Sequence, residues 1–195
     1  MAKSKIKIGV LGGSFDPAHK GHLAISQEAL KKLKLKKIIW AITKKNPLKK
    51  KSTTSLSSRI NQCKRFLNKK NFIKIKFYED IIKSNKTIDL INHLTKNSLN
   101  EIYFLMGADN LINFHKWQKW QDIFNEISIV IFKRHGYNSL ALKSITSKKF
   151  TTSKIRSLIL NKKNFKKLPS WTWVNNKEIK ISSSEIRKQR NLLRG

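Results

Sequence analysis

The chain has 195 residues, 43 of them Lys or Arg and 11 Asp or Glu, and its net charge of +32 would suit nucleic acid, an anionic membrane or small anionic substrates. That length predicts a single domain over residues 1–195, with a hydrophobic core of ordinary size. The single cysteine, Cys63, excludes a disulfide within the chain, and no apolar run is long enough for a membrane span, so we expect a cytoplasmic protein.

The first predicted element is a strand at residues 6–11, followed by two adjacent glycines, Gly12 and Gly13. An amphipathic helix is predicted next, at residues 21–35. A glycine turn between a first strand and a first helix places backbone N–H groups near a helix N-terminus, which suits a phosphate. The glycine spacing differs from the dinucleotide-binding fingerprint, and no Gly-Lys-Ser/Thr of a Walker loop follows.

Two histidines, His19 and His22, lie where this loop meets the helix, so both rings can face one anion. Taken alone, the glycines are explained by a turn and the histidines by a helix cap. The complete string from Gly9 to His22 is similar to the signature of the nucleotidylyltransferase superfamily, a Gly-rich loop followed by His-x-Gly-His. That resemblance implies a nucleotide triphosphate at this loop.

Strand and helix patterns alternate along the rest of the chain. Apolar runs or alternation predict strands at residues 37–42, 72–77, 101–106 and 127–132. Helices are predicted at residues 87–99 and 108–124, and the second is broken near Phe114. A further helix is predicted from the apolar stripe Leu56, Ile60, Cys63 and Leu67, with Ser57 or Ser58 as its cap. This alternation predicts an α/β fold with a Rossmann-like, doubly wound parallel sheet.

The last third of the chain combines a polar stretch with a closing helix. Residues 134–167 predict one or two short helices, and residues 171–174 and 179–181 predict a closing pair of short strands. Ser182 and Glu185, three residues apart, form a capping-box pattern that opens a terminal helix. We expect the subregion of about 178–195 to add a small helical part to the sheet.

Four polar clusters follow predicted strands or open predicted helices, where ligands bind in open parallel sheets. They are the opening loop, residues 46–49, residues 107–109 with Trp117 and Trp120, and residues 182–187. Simpler explanations stand beside each of them. Asp109 can cap the helix after Gly107, two tryptophans three residues apart suit a core, and Lys49 suits a solvated side chain.

Together and in this order, the four motifs resemble those of the bacterial nicotinate-nucleotide adenylyltransferases, from Ile8 to Arg187. The resemblance implies that ATP condenses with nicotinate mononucleotide to give deamido-NAD and pyrophosphate. In that family the phosphate of the mononucleotide attacks the α-phosphorus directly, without a covalent enzyme intermediate. Mg²⁺ would arrive with ATP, because no His, Cys or carboxylate cluster in the sequence predicts a protein metal site.

The resemblance also implies roles for single residues. His19, His22 and Arg187 would be the catalytic residues, which neutralise ATP phosphates. The implied ATP-binding set adds Gly12, Gly13, Ser14, Phe15, Gly107, Asp109, Ser183 and Ser184. The implied nicotinate mononucleotide set is Ser14, Phe15, Lys49, Thr87 and Trp117, with Trp117 stacked on the ring and Thr87 near its carboxylate.

Three positions depart from the family pattern. Lys86 precedes Thr87 where an aromatic residue is frequent, and Ser14 and Ser184 stand where Thr is frequent, which keeps the hydroxyl. Nicotinamide mononucleotide and phosphopantetheine are alternative acceptors for the same chemistry. From a different class, a basic nucleic-acid-binding protein would fit the charge. Against it, the sequence has no helix-turn-helix, RNP-like or zinc-finger signature.

Overall fold

The computed structural model describes residues 5–44, 54–68, 70–96, 100–156 and 167–192, and a parallel sheet of seven strands lies at its centre. The strands are β1 (Lys7–Gly13), β2 (Lys37–Ile42), β3 (Ile73–Phe77), β4 (Glu101–Gly107), β5 (Ser128–Phe132), β6 (Lys154–Ile155) and β7 (Trp171–Val174). Their order is β3-β2-β1-β4-β5-β7-β6, and every neighbouring pair is parallel. The predicted α/β fold is confirmed.

Helices connect these strands. They are α1 (Lys20–Lys32), α2 (Leu56–Leu67), α3 (Glu79–Ile82), α4 (Thr87–Lys96), α5 (Ala108–Ile112), α6 (Trp120–Glu126), α7 (Asn138–Leu142), α8 (Ile145–Lys149) and α9 (Ser183–Leu192). A 3₁₀ turn at Phe114–Lys116 separates α5 from α6, as the sequence predicted. The short helices α7 and α8 confirm the prediction for residues 134–156, and residues 157–166 lie outside the described ranges. Within those ranges, no helix is both long and apolar enough to span a membrane.

Two local predictions were wrong. Ser55, and neither Ser57 nor Ser58, caps α2, because the helix already begins at Leu56 and the Ser55 hydroxyl accepts a hydrogen bond from the Ser58 N–H at 3.2 Å. Residues 179–181 form no strand. Their predicted partner β7 already pairs with β5 on one edge and β6 on the other, so it has no edge left to offer.

Apolar side chains cover both faces of the sheet. Neighbouring residues of each central strand alternate between two buried clusters, for example Val10 and Leu11 in β1 or Phe104 and Leu105 in β4. Burial on both faces explains why these strands read as almost continuous apolar runs in the sequence. Cys63 lies in the second cluster, where burial raises the pKa of its thiol to about 12, so this thiol is not an activated nucleophile.

The strand order reverses between β1 and β4. From β1 the chain winds outward through β2 and β3, and then returns to place β4 on the other side of β1. In such sheets, the helices that follow the two central strands diverge and leave a crevice at the carboxyl ends. The loop after β1 and the loop after β4 both open into that crevice.

A buried hydrogen bond ties α1 to the sheet beneath this crevice. The indole N–H of Trp40 in β2 donates to the Ser26 hydroxyl in α1 at 2.8 Å, and that hydroxyl donates to the His22 carbonyl at 2.9 Å. Both Trp40 and Ser26 are fully buried. Ser26 therefore fixes the first turns of α1 against the core.

We predict that Ser26→Ala lowers the free energy of unfolding by about 1–3 kcal/mol, because it leaves the buried Trp40 N–H without an acceptor. Urea unfolding followed by tryptophan fluorescence measures this difference. Ser57→Ala is the matched control, since Ser57 is an exposed serine in another helix and its loss should change stability by less than about 0.5 kcal/mol. Equal stabilities of the two variants would contradict the role given to Ser26.

Candidate active site

A cavity of about 630 Å³ opens at the carboxyl ends of β1 and β4, where the strand order reverses. Its volume is that of an ordinary small-molecule site. Residues from nearly the whole length of the described chain line it, and they include these members of the sequence-based set: Gly12, Gly13, Ser14, Phe15, His19, His22, Thr87, Gly107, Asp109, Trp117, Ser183, Ser184 and Arg187. Lys49 and the rest of the cluster at residues 46–49 lie outside the described residues.

The two histidines are joined through the backbone at the start of α1. The Nδ1 atom of His19 accepts a hydrogen bond from the Gly21 N–H at 3.1 Å, and Nδ1 of His22 accepts one from the His19 N–H at 3.3 Å. Because Nδ1 is the acceptor in both rings, the proton of each neutral imidazole lies on Nε2. The ring centroids are 3.9 Å apart and both residues line the cavity, so two imidazoles lie close together in its wall.

Gly21, which directly precedes His22, is a glycine for a steric reason. A Cβ atom on Gly21 would lie 2.9 Å from both Cε1 and Nδ1 of His19. A side chain there would push the His19 ring out of its bond to the backbone. The helix-cap explanation of the histidines is therefore correct, and it is also what sets the orientation of both rings toward the cavity.

The loop before these histidines is held by the start of α9. The Ser183 hydroxyl donates to the Pro17 carbonyl at 3.0 Å, and the Arg187 guanidinium donates to the Asp16 carbonyl. Arg187 also donates to the Ser184 hydroxyl at 3.1 Å. As predicted, α9 has a serine cap, in which the Ser182 hydroxyl accepts from the Glu185 N–H at 3.1 Å. Two motifs about 165 residues apart in sequence thus meet in one wall of the cavity.

Asp109 forms an ion pair across the cavity wall and does not cap α5. Its Oδ2 atom lies 2.6 Å from Nη1 of Arg134. The N-cap residue of α5 is Gly107, and no side chain makes a capping hydrogen bond there. The capping explanation fails because Asp109 lies inside the first turn, with its carboxylate turned to Arg134. Its other oxygen, Oδ1, is buried and has no hydrogen-bond partner among the described residues. That acceptor is suited to a hydroxyl group of a ligand.

Gly107 allows this arrangement because a Cβ atom on it would lie 2.6 Å from Oδ1 of Asp109. Any side chain at Gly107 would displace the carboxylate from the place where it meets Arg134. The glycine at the end of β4 is therefore part of the geometry of the site.

The two tryptophans of the third predicted cluster have different surroundings. Trp117 is half-buried, packs on Phe114 with ring centroids 4.6 Å apart, and lines the cavity. Trp120 lies edge-on to Phe150 at 5.8 Å and does not line the cavity. The helix break between them turns the two rings to different sides. Trp120 therefore packs in the core, whereas the ring of Trp117 is placed where it could contact a ligand.

Sequence reasoning missed three polar residues of this region. Arg134 follows the end of β5, and a cation at that position of a parallel strand is a signal that could have found it. Glu79 accepts from the Thr43 hydroxyl and, at 3.2 Å, from the Lys44 N–H, at the end of β2. Arg59 is buried in α2, and because that helix carries other basic residues, the sequence did not distinguish Arg59 from exposed ones.

Comparisons with known proteins agree on one family. A family model described as cytidylyltransferase-like matches residues 10–189. A relative in Pelagibacter ubique, named nicotinate-nucleotide adenylyltransferase, is 52% identical and covers 95% of this chain and 94% of its own. A relative of the same name in Agrobacterium fabrum is 32% identical over 92% of this chain and 97% of its own.

A solved structure resembles this fold across most of its length. It is the nicotinic acid mononucleotide adenylyltransferase of Plasmodium falciparum in complex with NaAD, which superposes with a TM-score of 0.66 and 21% identity. The match covers 94% of this chain and 83% of that one. At this identity the likeness is one of fold.

We predict that Asp109 and Arg134 stabilise each other by about 1–2 kcal/mol, between the values of exposed and fully buried pairs. A double-mutant cycle of Asp109→Asn and Arg134→Met, measured by urea unfolding, gives this coupling energy. The exposed pair Lys44–Asp80, with nitrogen and oxygen 2.8 Å apart, is the control and should show the smaller coupling. Additive effects of the two changes at Asp109 and Arg134 would contradict the prediction.

Proposed function

We propose that this chain transfers the adenylyl group of ATP to nicotinate mononucleotide. The chain belongs to the cytidylyltransferase-like family and, within it, to the nicotinate-nucleotide adenylyltransferases. The products are nicotinate adenine dinucleotide and pyrophosphate, so the enzyme is a nucleotidyltransferase of NAD biosynthesis. The observation that carries the proposal is the pair of His19 and His22, whose Nδ1 atoms both accept backbone N–H bonds at the start of α1, in one cavity with Thr87 and Trp117.

The phosphates of ATP are assigned to the wall formed by the opening loop, α1 and α9. His19 and His22 would donate from Nε2 to phosphate oxygens, and the N-terminus of the thirteen-residue helix α1 adds a favourable field. Arg187, Ser183 and Ser184 would bind the distal phosphates. Gly12, Gly13, Ser14 and Phe15 would let the backbone approach both nucleotides.

The reaction itself needs charge stabilisation and alignment. The 5′-phosphate oxygen of the mononucleotide attacks the α-phosphorus of ATP, a new P–O bond forms, and the bond to the leaving pyrophosphate breaks with its electron pair on pyrophosphate. No side chain forms a bond to phosphorus in this scheme. The donors of His19, His22 and Arg187 stabilise the charge that moves onto the leaving oxygens, and the fixed loop holds the reactants in line.

The nicotinate ring is assigned to the wall formed by the turn after α5 and the start of α4. Trp117 would stack on the ring, since its half-buried face lines the cavity. Thr87 is the first residue of the ten-residue helix α4, whose N-terminus favours a carboxylate. Lys86 beside it also lines the cavity, so the residue that departs from the family pattern adds positive charge here. Lys49 is retained as a proposed phosphate contact.

The adenosine is assigned to the end of β4. The buried Oδ1 atom of Asp109 would accept a hydrogen bond from a ribose hydroxyl, and Gly107 keeps that carboxylate in place.

The nucleotide of such a transfer carries a divalent metal, and we propose Mg²⁺, bound by the hard phosphate oxygens. One sheet supports a single domain over residues 1–195, and the lone cysteine supports a cytoplasmic enzyme.

Pyrophosphate release from Mg²⁺-ATP tests the proposal, with nicotinate mononucleotide, nicotinamide mononucleotide and phosphopantetheine offered in parallel. We predict release with nicotinate mononucleotide, reduced about 100- to 1000-fold in His22→Ala because a phosphate donor is lost. His135→Ala is the matched control, since His135 is exposed and outside the cavity lining. Its rate should equal that of the unaltered chain.

The other outcomes are equally informative. Release with phosphopantetheine alone would contradict the roles of Trp117 and Thr87 and leave those of the histidines standing. No release with any acceptor, from folded protein, would contradict the proposed function and direct attention to nucleic-acid binding. An equal loss in His22→Ala and His135→Ala would contradict the role of the histidine pair.

A further inference from the structure

Arg59 is a buried charge that the proposed reaction does not use. It is 1% exposed in the first turn of α2, and of the lysines and arginines that the structure describes, it alone is buried. It does not line the cavity. A guanidinium so far from water destabilises the fold unless hydrogen-bond acceptors satisfy its N–H donors.

The donors of Arg59 reach four backbone carbonyls. Nη1 donates to the carbonyls of Ser14 at 2.6 Å and Thr43 at 2.8 Å. Nη2 donates to the Lys44 carbonyl at 3.0 Å, and Nε to the Thr54 carbonyl at 3.3 Å. These acceptors belong to the loop after β1, to the end of β2 and to the residue before the cap of α2. One planar group therefore joins three segments of the chain.

Only a guanidinium can make this set of bonds. Its five N–H groups lie in one plane and diverge in a fixed fork, whereas an ammonium is a single point with three donors. Burial lowers the pKa of Arg59, and the Asp16 carboxylate opposes that shift. An arginine keeps its proton in proteins, so the group remains a cation in this position.

The same loop is held at further points on either side of Arg59. The Thr54 hydroxyl donates to Oδ1 of Asp16 at 2.7 Å, and the Thr43 N–H donates to the Gly13 carbonyl at 3.0 Å. On the other side, Ser183 and Arg187 of α9 bind the carbonyls of Pro17 and Asp16. The loop from Gly13 to Pro17 is thus held on one side by the end of β2 and the start of α2. On the other side it is held by the start of α9.

We propose that Arg59 is a positioning residue for adenylyl transfer, which sets the place of the Gly-rich loop relative to the end of β2 and thereby aligns the reacting phosphates. The inference rests on the proposed function, since it concerns the loop that we assign to both nucleotides. Arg59 touches neither substrate. It acts through Ser14, whose carbonyl it holds and whose neighbours Gly13 and Phe15 line the cavity.

A positioning role and a purely structural role make different predictions for kinetics. A misplaced loop still binds both substrates but aligns them poorly, so kcat falls while KM stays nearly constant. A purely structural role reduces the folded fraction and leaves kcat per folded molecule unchanged. Assays well below the unfolding temperature, with the folded fraction measured by circular dichroism, separate the two.

The decisive variants are Arg59→Met and Arg59→Lys. Arg59→Met should lower kcat about 100-fold, with KM for both substrates within about threefold of the unaltered chain. Arg59→Lys keeps the positive charge but loses the planar, divergent N–H donors of the guanidinium, so kcat should fall about tenfold. Arg65→Met is the matched control, because Arg65 lies on the same helix, is exposed, and should leave kcat unchanged.

Chemical rescue gives a readout that a structural role would not move. Arg59→Ala leaves a space shaped for a guanidinium, so millimolar methylguanidinium should raise its kcat in a saturable manner while methylammonium should not. Rescue of kcat without a matching rise in folded fraction supports alignment. Equal effects of the two cations, or no effect of either, would overturn the inference.

A milder variant covers the case in which the Arg59 variants do not fold. Thr54→Val removes only the hydroxyl bond to Asp16 from a half-exposed side chain and should lower kcat severalfold at constant KM. An unchanged kcat in Thr54→Val, or a kcat within twofold of normal in folded Arg59→Met, would overturn the inference. An unaltered chain that is inactive with every acceptor would instead overturn the proposed function.

Discussion

Two backbone N–H groups at the start of α1, those of His19 and Gly21, donate to the imidazoles of His22 and His19. This pair of bonds fixes the orientation of both imidazoles in the wall that we assign to the phosphates of ATP. The bonds occupy Nδ1 in both rings, so the helix backbone selects the Nε2-protonated tautomer of two imidazoles that line the cavity. The same bonds end the loop and begin the helix. A requirement of helix formation, the capping of free N–H groups, is thereby met by the residues that we assign to catalysis.

The loop that enters this cap is held by side chains distant in sequence. Arg59 and Thr54 bind it from the start of α2, and Ser183 and Arg187 bind it from the start of α9. These contacts arise because parallel strands bring their carboxyl ends, and the helices that follow them, to one edge of the sheet. The positions of the proposed nucleotide contacts are consequently a property of the whole topology. A single loop sequence would not fix them.

Local patterns in the sequence were sufficient to predict the central strands, the helix break near Phe114 and the Gly-rich loop with its two histidines. They failed where the outcome depends on distant partners. Residues 179–181 have a strand-like composition, but β7 has no edge available to them. For Asp109, the sequence offered a helix cap as the simpler alternative to an ATP contact, but the carboxylate pairs with Arg134 from the loop after β5. Arg59 looks like its exposed neighbour Arg65 until the carbonyls of three segments are brought around it.

Nuclear magnetic resonance of ¹⁵N-histidine-labelled protein measures whether His19 and His22 present a protonated Nε2 to the triphosphate, as we propose. Long-range proton–nitrogen spectra distinguish the two neutral tautomers, and His19→Gln and His22→Gln assign the signals. We expect Nε2-protonated rings in the free protein, and a shift of both Nε2 signals when a non-hydrolysable ATP analogue binds. Protonation on Nδ1 in either ring, or Nε2 signals that the analogue leaves unmoved, would contradict it.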